Sequence, residues 1–260
     1  MSQLFDRLAL VTGTSSGIGA AVARLLTERG WRVLGISRRS ATIESPLYAH
    51  FQADLCESAG LALRLDTVLG ATASNPGVKR LALVNNAADP GLLGPVDGLK
   101  PDDLLRVYAV NTATPVALMG WFIGHSRPGQ ALRIVNISTG AATAAVPGLG
   151  AYGSSKAALR MAGMVLASEL DGRAAEGAGG DRDISILSYE PGIVDTGMQT
   201  SVRGSSKAIV PVVEMFMRFK TEGRLVPPSV PAAEIVGYVE ADGHSRFLER
   251  RLGSPAEGKR

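Results

Sequence analysis

The 260-residue chain holds one cysteine, Cys56. A lone thiol cannot close an internal bridge, so a disulfide framework is excluded and a reducing, cytoplasmic setting is expected. No apolar run reaches the roughly 18 residues that a membrane-spanning helix needs, so no membrane association is predicted. The opening Met1-Ser2-Gln3-Leu4-Phe5-Asp6-Arg7 has no long apolar stretch, which predicts neither a signal peptide nor an anchor. His50, His125 and His244 lack metal-ligand spacing, and no metal site is expected. Lys and Arg total 27 against 24 acidic residues, and they are scattered apart from Arg38-Arg39 and the group Arg246, Arg250, Arg251. Without a basic stripe interleaved with aromatics, no nucleic-acid partner is predicted. Neither an internal repeat nor a dividing linker is present.

What remains is the composition of one large α/β domain, with 45% hydrophobic residues, 20% charged residues and 31 glycines. A chain of this length buries roughly three quarters of its unfolded surface and needs no staple. Apolar runs at Leu8–Thr12, Arg32–Ile36, Ala49–Ala53, Leu81–Asn85, Ala131–Ser138 and Ile184–Tyr189 read as strands covered on both faces. Helices are expected at about 17–29, 57–73, 102–125 and 151–170. That alternation predicts a Rossmann-type, doubly wound parallel sheet in a single three-layer α/β/α domain. Asp171 to Gly180, rich in Gly and Ala, reads as a loop insertion. Beyond Pro191 the periodicity weakens, and residues 197–230, bounded by Pro227-Pro228, read as a helical flap. The expected division is a cofactor half at about 1–140 and a catalytic and substrate half at about 141–260.

The first strand runs into Thr12-Gly13-Thr14-Ser15-Ser16-Gly17-Ile18-Gly19 and then an alanine-rich helix. Glycines there let the backbone turn sharply toward a pyrophosphate, and the helix N-terminus offers unpaired amides. The spacing differs from the common GxGxxG fingerprint, but the place is where dinucleotide folds hold phosphate. The second strand ends in Ser37-Arg38-Arg39, where NAD-specific folds carry an acidic residue. Guanidinium groups pair with a 2′-phosphate, so NADPH/NADP+ is the expected cofactor.

Tyr152 and Lys156 are four residues apart on one helix, so a phenol and an ammonium can share a face. A cation beside a phenolate lowers the phenol pKa, making the group a usable acid toward a carbonyl oxygen. Asn111 lies in the helix starting near Pro101, and Pro115 has no amide to offer its carbonyl, so a kink is predicted there.

These motifs arrive in an order that resembles the short-chain dehydrogenase/reductase family over essentially the whole chain. The matching residues are Thr12-Gly13 through Gly17-Ile18-Gly19, Asp54-Leu55, Asn85-Asn86-Ala87-Ala88, Asn111, Asn136 to Thr139, Tyr152 with Lys156, and Pro191-Gly192 to Thr196. The resemblance implies that Asp54 and Leu55 border the adenine and that Asn86, Ala87 and Ala88 pass beside its ribose. It also implies that Lys156 bonds the nicotinamide ribose, that Pro191, Gly192, Val194 and Thr196 hold the carboxamide, and that a water links Asn111 to Lys156. Ala88 replaces the usual glycine. The family's catalytic hydroxyl sits thirteen positions before the tyrosine, which is Thr139; Ser138 is the alternative.

The stretches Ile186–Gln199 and Phe219–Val226 resemble the sepiapterin reductase and benzil reductase branch. Aligning Gly243-His244-Ser245-Arg246-Phe247 with that branch puts Arg246 where a pterin-anchoring acid is expected. A guanidinium cannot accept N–H donors, which turns the expectation toward a benzil-like vicinal diketone or another hydrophobic carbonyl compound. Met198, Met215, Phe216, Met217 and Phe219 fall in the flap, most of them expected in core packing. The expected activity is NADPH-dependent ketone reduction. Its rivals are a sepiapterin-type reductase, an NAD(P)-dependent alcohol dehydrogenase and, from another class, a non-catalytic NADPH sensor. A homodimer is expected through the helices of Asn111 and Tyr152, eased by Ala157, Ala158, Ala162, Gly163 and Ala167.

Overall fold

A computed structural model describes residues 5–57, 60–177 and 182–254. The strands are β1 (Arg7–Thr12), β2 (Arg32–Ser37), β3 (Tyr48–Gln52), β4 (Arg80–Asn85), β5 (Ala131–Ile137), β6 (Ile184–Glu190) and β7 (Phe247–Arg251). They form one parallel sheet in the order β3-β2-β1-β4-β5-β6-β7. The order reverses between β1 and β4, and such a switch point opens a crevice beyond the strands' C-terminal ends.

The helices are α1 (Gly17–Glu28), α2 (Leu61–Leu65), α3 (Ala71–Ala73), α4 (Pro101–Tyr108), α5 (Thr114–His125), α6 (Gly150–Ala175), α7 (Gly197–Arg203), α8 (Val213–Thr221) and α9 (Ser229–Glu240). Alternate residues of each central strand feed two cores, because successive side chains point to opposite faces. Leu8, Leu10, Leu81 and Leu83 join α2, α5 and α6 on one face; Ala9, Val11, Ala82 and Val84 join α1 and α9 on the other. The sandwich of helix, sheet and helix matches the expected fold class.

Several boundaries differ from expectation for physical reasons. The helix expected at 57–73 begins at Leu61 and passes through a π turn at Asp66–Gly70. The helix expected at 102–125 is α4, a π turn at Ala109–Ala113, then α5. Pro115 lies just beyond that turn, so the missing amide is absorbed by a widened turn at Asn111. The fifth strand ends at Ile137, one residue early. The expected loop at 171–180 is helical as far as Ala175, and Gly177, with φ of +69°, ends the run. Residues 178–180 lie outside the described residues.

Two elements escaped the sequence reading. α9 buries Pro231, Ala232, Ile235, Val236, Tyr238 and Val239, a helical stripe packed beside α1. β7 reads Phe-Leu-Glu-Arg-Arg with only Leu248 fully buried, so as an edge strand it carries almost no apolar signature.

Gly19 packs the start of α1 onto the β1 loop. A Cβ there would stand 2.4 Å from both the Gly13 carbonyl oxygen and Asn86 Nδ2. Gly19→Ala should therefore lower unfolding free energy by about 1–3 kcal/mol through overpacking. A urea melt within a few tenths of wild type would contradict this close approach.

Candidate active site

β1 ends at Thr12, whose buried Oγ1 accepts the amides of Asn86 and Ala87, each at 3.0 Å. Asn86 Nδ2 donates back to the Thr12 carbonyl at 2.9 Å. These bonds tie the loop after β4 to the loop after β1 across the switch point. Gly13 turns the chain with φ of +76°, a region that favours glycine, and a Cβ there would meet Asn86 Nδ2 at 2.7 Å. Ser16 then starts α1 from an extended conformation with no side-chain cap, so its hydroxyl leaves the first-turn amides to other partners.

A cavity of about 790 Å³ opens over these strand ends. Gly13, Ser15, Ser16, Gly17 and Ile18 line one end, with Ser37, Arg38 and Arg39 from β2 and Asp54, Leu55, Asn86, Ala87 and Ala88 beyond β3 and β4. Gly19, expected to bind cofactor, does not line it; it serves the packing described above. Ser37 Oγ donates to the Arg39 carbonyl at 2.7 Å, and both arginine side chains are exposed. A glycine cradle at a helix N-terminus suits the phosphates of a nicotinamide dinucleotide, and two exposed guanidinium groups follow the end of β2.

The other end of the cavity is lined by Ser138, Thr139, Tyr152, Lys156, Pro191, Gly192, Val194 and Thr196. Tyr152 and Lys156 stand on the first turns of α6, and both side chains are buried. Lys156 Nζ donates to the Ile137 carbonyl at 2.8 Å and lies 6.0 Å from the centroid of the Tyr152 ring. Burial pushes the Tyr152 phenol up to about 12 and pulls the Lys156 ammonium down to about 8. This corrects the expectation that the ammonium lowers the phenol. Nζ is turned to a carbonyl and stands off the ring, so loss of solvent outweighs attraction. The phenol is thus held in its proton-donating form throughout the neutral range.

Asn111 is fully buried and does not line the cavity. Its Oδ1 accepts the Asp89 amide at 2.7 Å, and Nδ2 donates to the Asp89 carbonyl at 2.8 Å and to Ser155 Oγ at 3.0 Å. Ser155 Oγ donates in turn to the Tyr152 carbonyl at 2.8 Å. The side chain thus locks the π turn to α6 and to the loop after β4. Thr139 Oγ1 accepts the Ala141 amide at 3.4 Å, which leaves its own proton to give. The Ser138 hydroxyl has no hydrogen-bond partner among the described residues, while its amide donates to the Tyr189 carbonyl at 2.7 Å.

Met198, Gln199, Val202, Met215, Phe216 and Phe219 from α7 and α8 close the cavity's remaining side. The two helices are held by a small separate core of Leu149, Val202, Val210 and Val213. Their far end is tied by the Val226 amide, which donates to the Ile193 carbonyl at 2.9 Å, and by Asp195 N, which donates to the Val226 carbonyl at 3.0 Å. Four of the five flap residues expected mainly in packing line the cavity; Met217 does not and is exposed.

Arg246 is not at this site. It precedes β7 and donates to the Ile184 carbonyl at 2.7 Å, at the opposite end of the sheet, and pairs with Asp171. Arg251, at the C-terminal end of β7, lines the cavity instead and pairs with Glu190 at 3.4 Å. Neither Glu190 nor Arg251 was picked out in the sequence, nor were Asp89, Gln199 and Arg224, which also line the cavity. Asp89 adjoins the Asn-Asn-Ala-Ala motif and was within reach, whereas Arg251 sits on the strand without a pattern. The exclusion of a pterin by Arg246 therefore falls.

A buried ammonium costs stability. Lys156 is charged in the unfolded chain up to its ordinary 10.5, and in the folded one only up to about 8. The unfolded state thus binds more protons between those values, so the penalty is full below pH 8 and is relieved as pH rises toward 10.5. Lys156→Met should raise the unfolding free energy at pH 7 by about 1–3 kcal/mol, with the difference shrinking toward pH 10. Denaturant melts in which the variant is less stable than wild type at pH 7 would contradict the burial cost.

Residues 7–207 match the short chain dehydrogenase family. The chain is 27% identical over 244 residues to a benzil reductase ((S)-benzoin forming) of Bacillus cereus, covering 91% of this chain and 95% of the relative. It is 30% identical to the sepiapterin reductase of Mus musculus, covering 90% of this chain and 92% of that one. The solved structure of the angucycline C-6 ketoreductase LanV with bound NADP superposes with a TM-score of 0.68 at 26% identity, covering 96% of each chain. With the glycine loop, the tyrosine–lysine helix and the sheet order in place, this chain belongs to the short-chain dehydrogenases, oxidoreductases acting on CH–OH and C=O groups.

Proposed function

We propose that the protein is an NADPH-dependent carbonyl reductase whose substrate is a hydrophobic ketone or vicinal diketone of the benzil type. The observation that carries this reading is the buried Tyr152–Lys156 pair in one cavity with the glycine loop and the Arg38-Arg39 pair. A bound nicotinamide dinucleotide supplies the hydride. Gly13 to Ile18 would hold its pyrophosphate, Arg38 and Arg39 its 2′-phosphate, Asp54 and Leu55 the adenine, and Pro191 to Thr196 the carboxamide.

Tyr152 gives its phenolic proton to the carbonyl oxygen as the carbon is reduced, and Thr139, with Ser138 as the alternative, donates a hydrogen bond that orients that oxygen. Lys156 stabilises the phenolate left behind and returns a proton to it. A water between the Asn111 backbone and Lys156 would complete the path to solvent; the Asn111 side chain is already fully engaged. An apolar wall of Met198, Met215, Phe216 and Phe219 supports an aromatic substrate. Residues 197–230 would act as the flap over it, within the catalytic and substrate half at about 141–260. Sepiapterin is the second reading, favoured by Glu190, a carboxylate acceptor on the same cavity.

An NADPH-oxidation screen with benzil, simple diketones, sepiapterin and acetoacetyl thioesters, with NADH alongside, should find benzil among the best substrates and NADPH preferred. Tyr152→Phe should keep NADPH affinity and lose about 10²- to 10⁴-fold in kcat. Wild-type kcat/KM should be flat from pH 6 to 7 and fall as pH passes about 8, where Lys156 loses its proton. NADPH binding with no turnover of any substrate would instead mark a non-catalytic sensor.

We also propose a homodimer through α5 and α6, where Val116, Met161 and Val165 are exposed beside Ala157 and Ala158. Gly163 and Ala167 take no part, being buried inside the subunit. Light scattering at micromolar concentration should give twice the 27.1 kDa chain mass, and a monomer would refute the interface.

A further inference from the structure

Outside the site, the face of edge strand β3 carrying residues 48, 50 and 52 holds three polar side chains, spaced to point the same way. Tyr48 Oη lies 3.0 Å from Thr14 Oγ1 and 3.1 Å from His50 Nδ1. Thr14 is fully buried and sits in the glycine loop between Gly13 and Ser15, both of which line the cofactor end of the cavity. Two residues further along β3, Gln52 Nε2 donates to the Arg38 carbonyl at 2.9 Å.

The arrangement leaves little room for chance. A Cβ on Gly35 of β2 would stand 2.1 Å from Tyr48 Oη and 2.6 Å from Thr14 Oγ1, so the phenol is pressed flat over the strand onto the loop. The hydrogen-bond chain ends at His50, whose Nε2 is buried with no partner among the described residues.

We infer that β3 is a positioning strand for the dinucleotide, with two separable tasks: Tyr48, backed by His50, holds the pyrophosphate loop through Thr14, while Gln52 holds the arginine loop that meets the 2′-phosphate. None of these three residues touches the nucleotide in this scheme; each acts through the backbone it fixes. The inference rests on the cofactor reading above but goes beyond it, because it assigns the choice between NADPH and NADH partly to a residue outside the cavity.

The test is direct titration of NADPH and of NADH into wild type, Tyr48→Phe, Thr14→Val, Thr14→Ser and Gln52→Leu, with thermal melts of each. Loss of the bond from Tyr48 should weaken both nucleotides about 3- to 10-fold, the worth of one hydrogen bond, and Thr14→Val should do the same while Thr14→Ser restores binding. Gln52→Leu should weaken NADPH by a similar factor and leave NADH within twofold, a split that a general loss of stability cannot produce. Gln52 is exposed, so that variant decides the second task even if a core variant does not fold. Tyr48→Phe binding both nucleotides like wild type, or Gln52→Leu shifting both equally, would overturn the inference. Wild type binding neither nucleotide would overturn the cofactor reading itself, and the inference with it.

Discussion

Desolvation of one phenol and one ammonium is the constraint on which the rest depends. α6 carries Tyr152 and Lys156 into the base of the cavity, and the surrounding strands leave both almost without water. Low polarity disfavours both charged forms, so the phenol keeps its proton and the ammonium holds its own only to about pH 8. A site built this way keeps a protonated phenol at the floor of the cavity, as the proposed reduction requires. The cost is a buried cation with one hydrogen-bond partner among the described residues, the Ile137 carbonyl, which is the stability an enzyme of this kind gives up for function.

The fold makes that burial possible by converging its loops on one edge. Thr12 ties β1 to the segment after β4, and Asn111 ties that same segment to α6 through Asp89 and Ser155. The π turn forced ahead of Pro115 gives Asn111 its position between them. Across the cavity, the Val226 bonds to residues 193 and 195 tie the flap to the loop after β6. Two cores on opposite faces of the sheet then fix these loops to a common frame.

The first six strands and the glycine loop were legible because central parallel strands are apolar on both faces and because Gly, Tyr and Lys spacings survive as short linear patterns. The π turn was legible in outline from Pro115 alone. β7 was not, since an edge strand of sequence Phe-Leu-Glu-Arg-Arg buries one side fully at a single residue. That gap displaced the C-terminal register: Arg246 was aligned to the substrate site, whereas five residues of β7 carry Arg251 there instead. The sign of the tyrosine perturbation was also beyond the sequence. Spacing brings two side chains to one face, but it is the tertiary packing that turns Nζ to a carbonyl and lets burial prevail over attraction.

The most direct measurement is a carbon-detected NMR titration of lysine side chains in the nucleotide-free protein, with Lys156→Met to assign the resonance. The Lys156 resonance should titrate near pH 8, well below the ordinary lysine value of 10.5. If Lys156 instead titrates at the ordinary 10.5, its environment is solvated, and the account of a dry acid–base pair is contradicted.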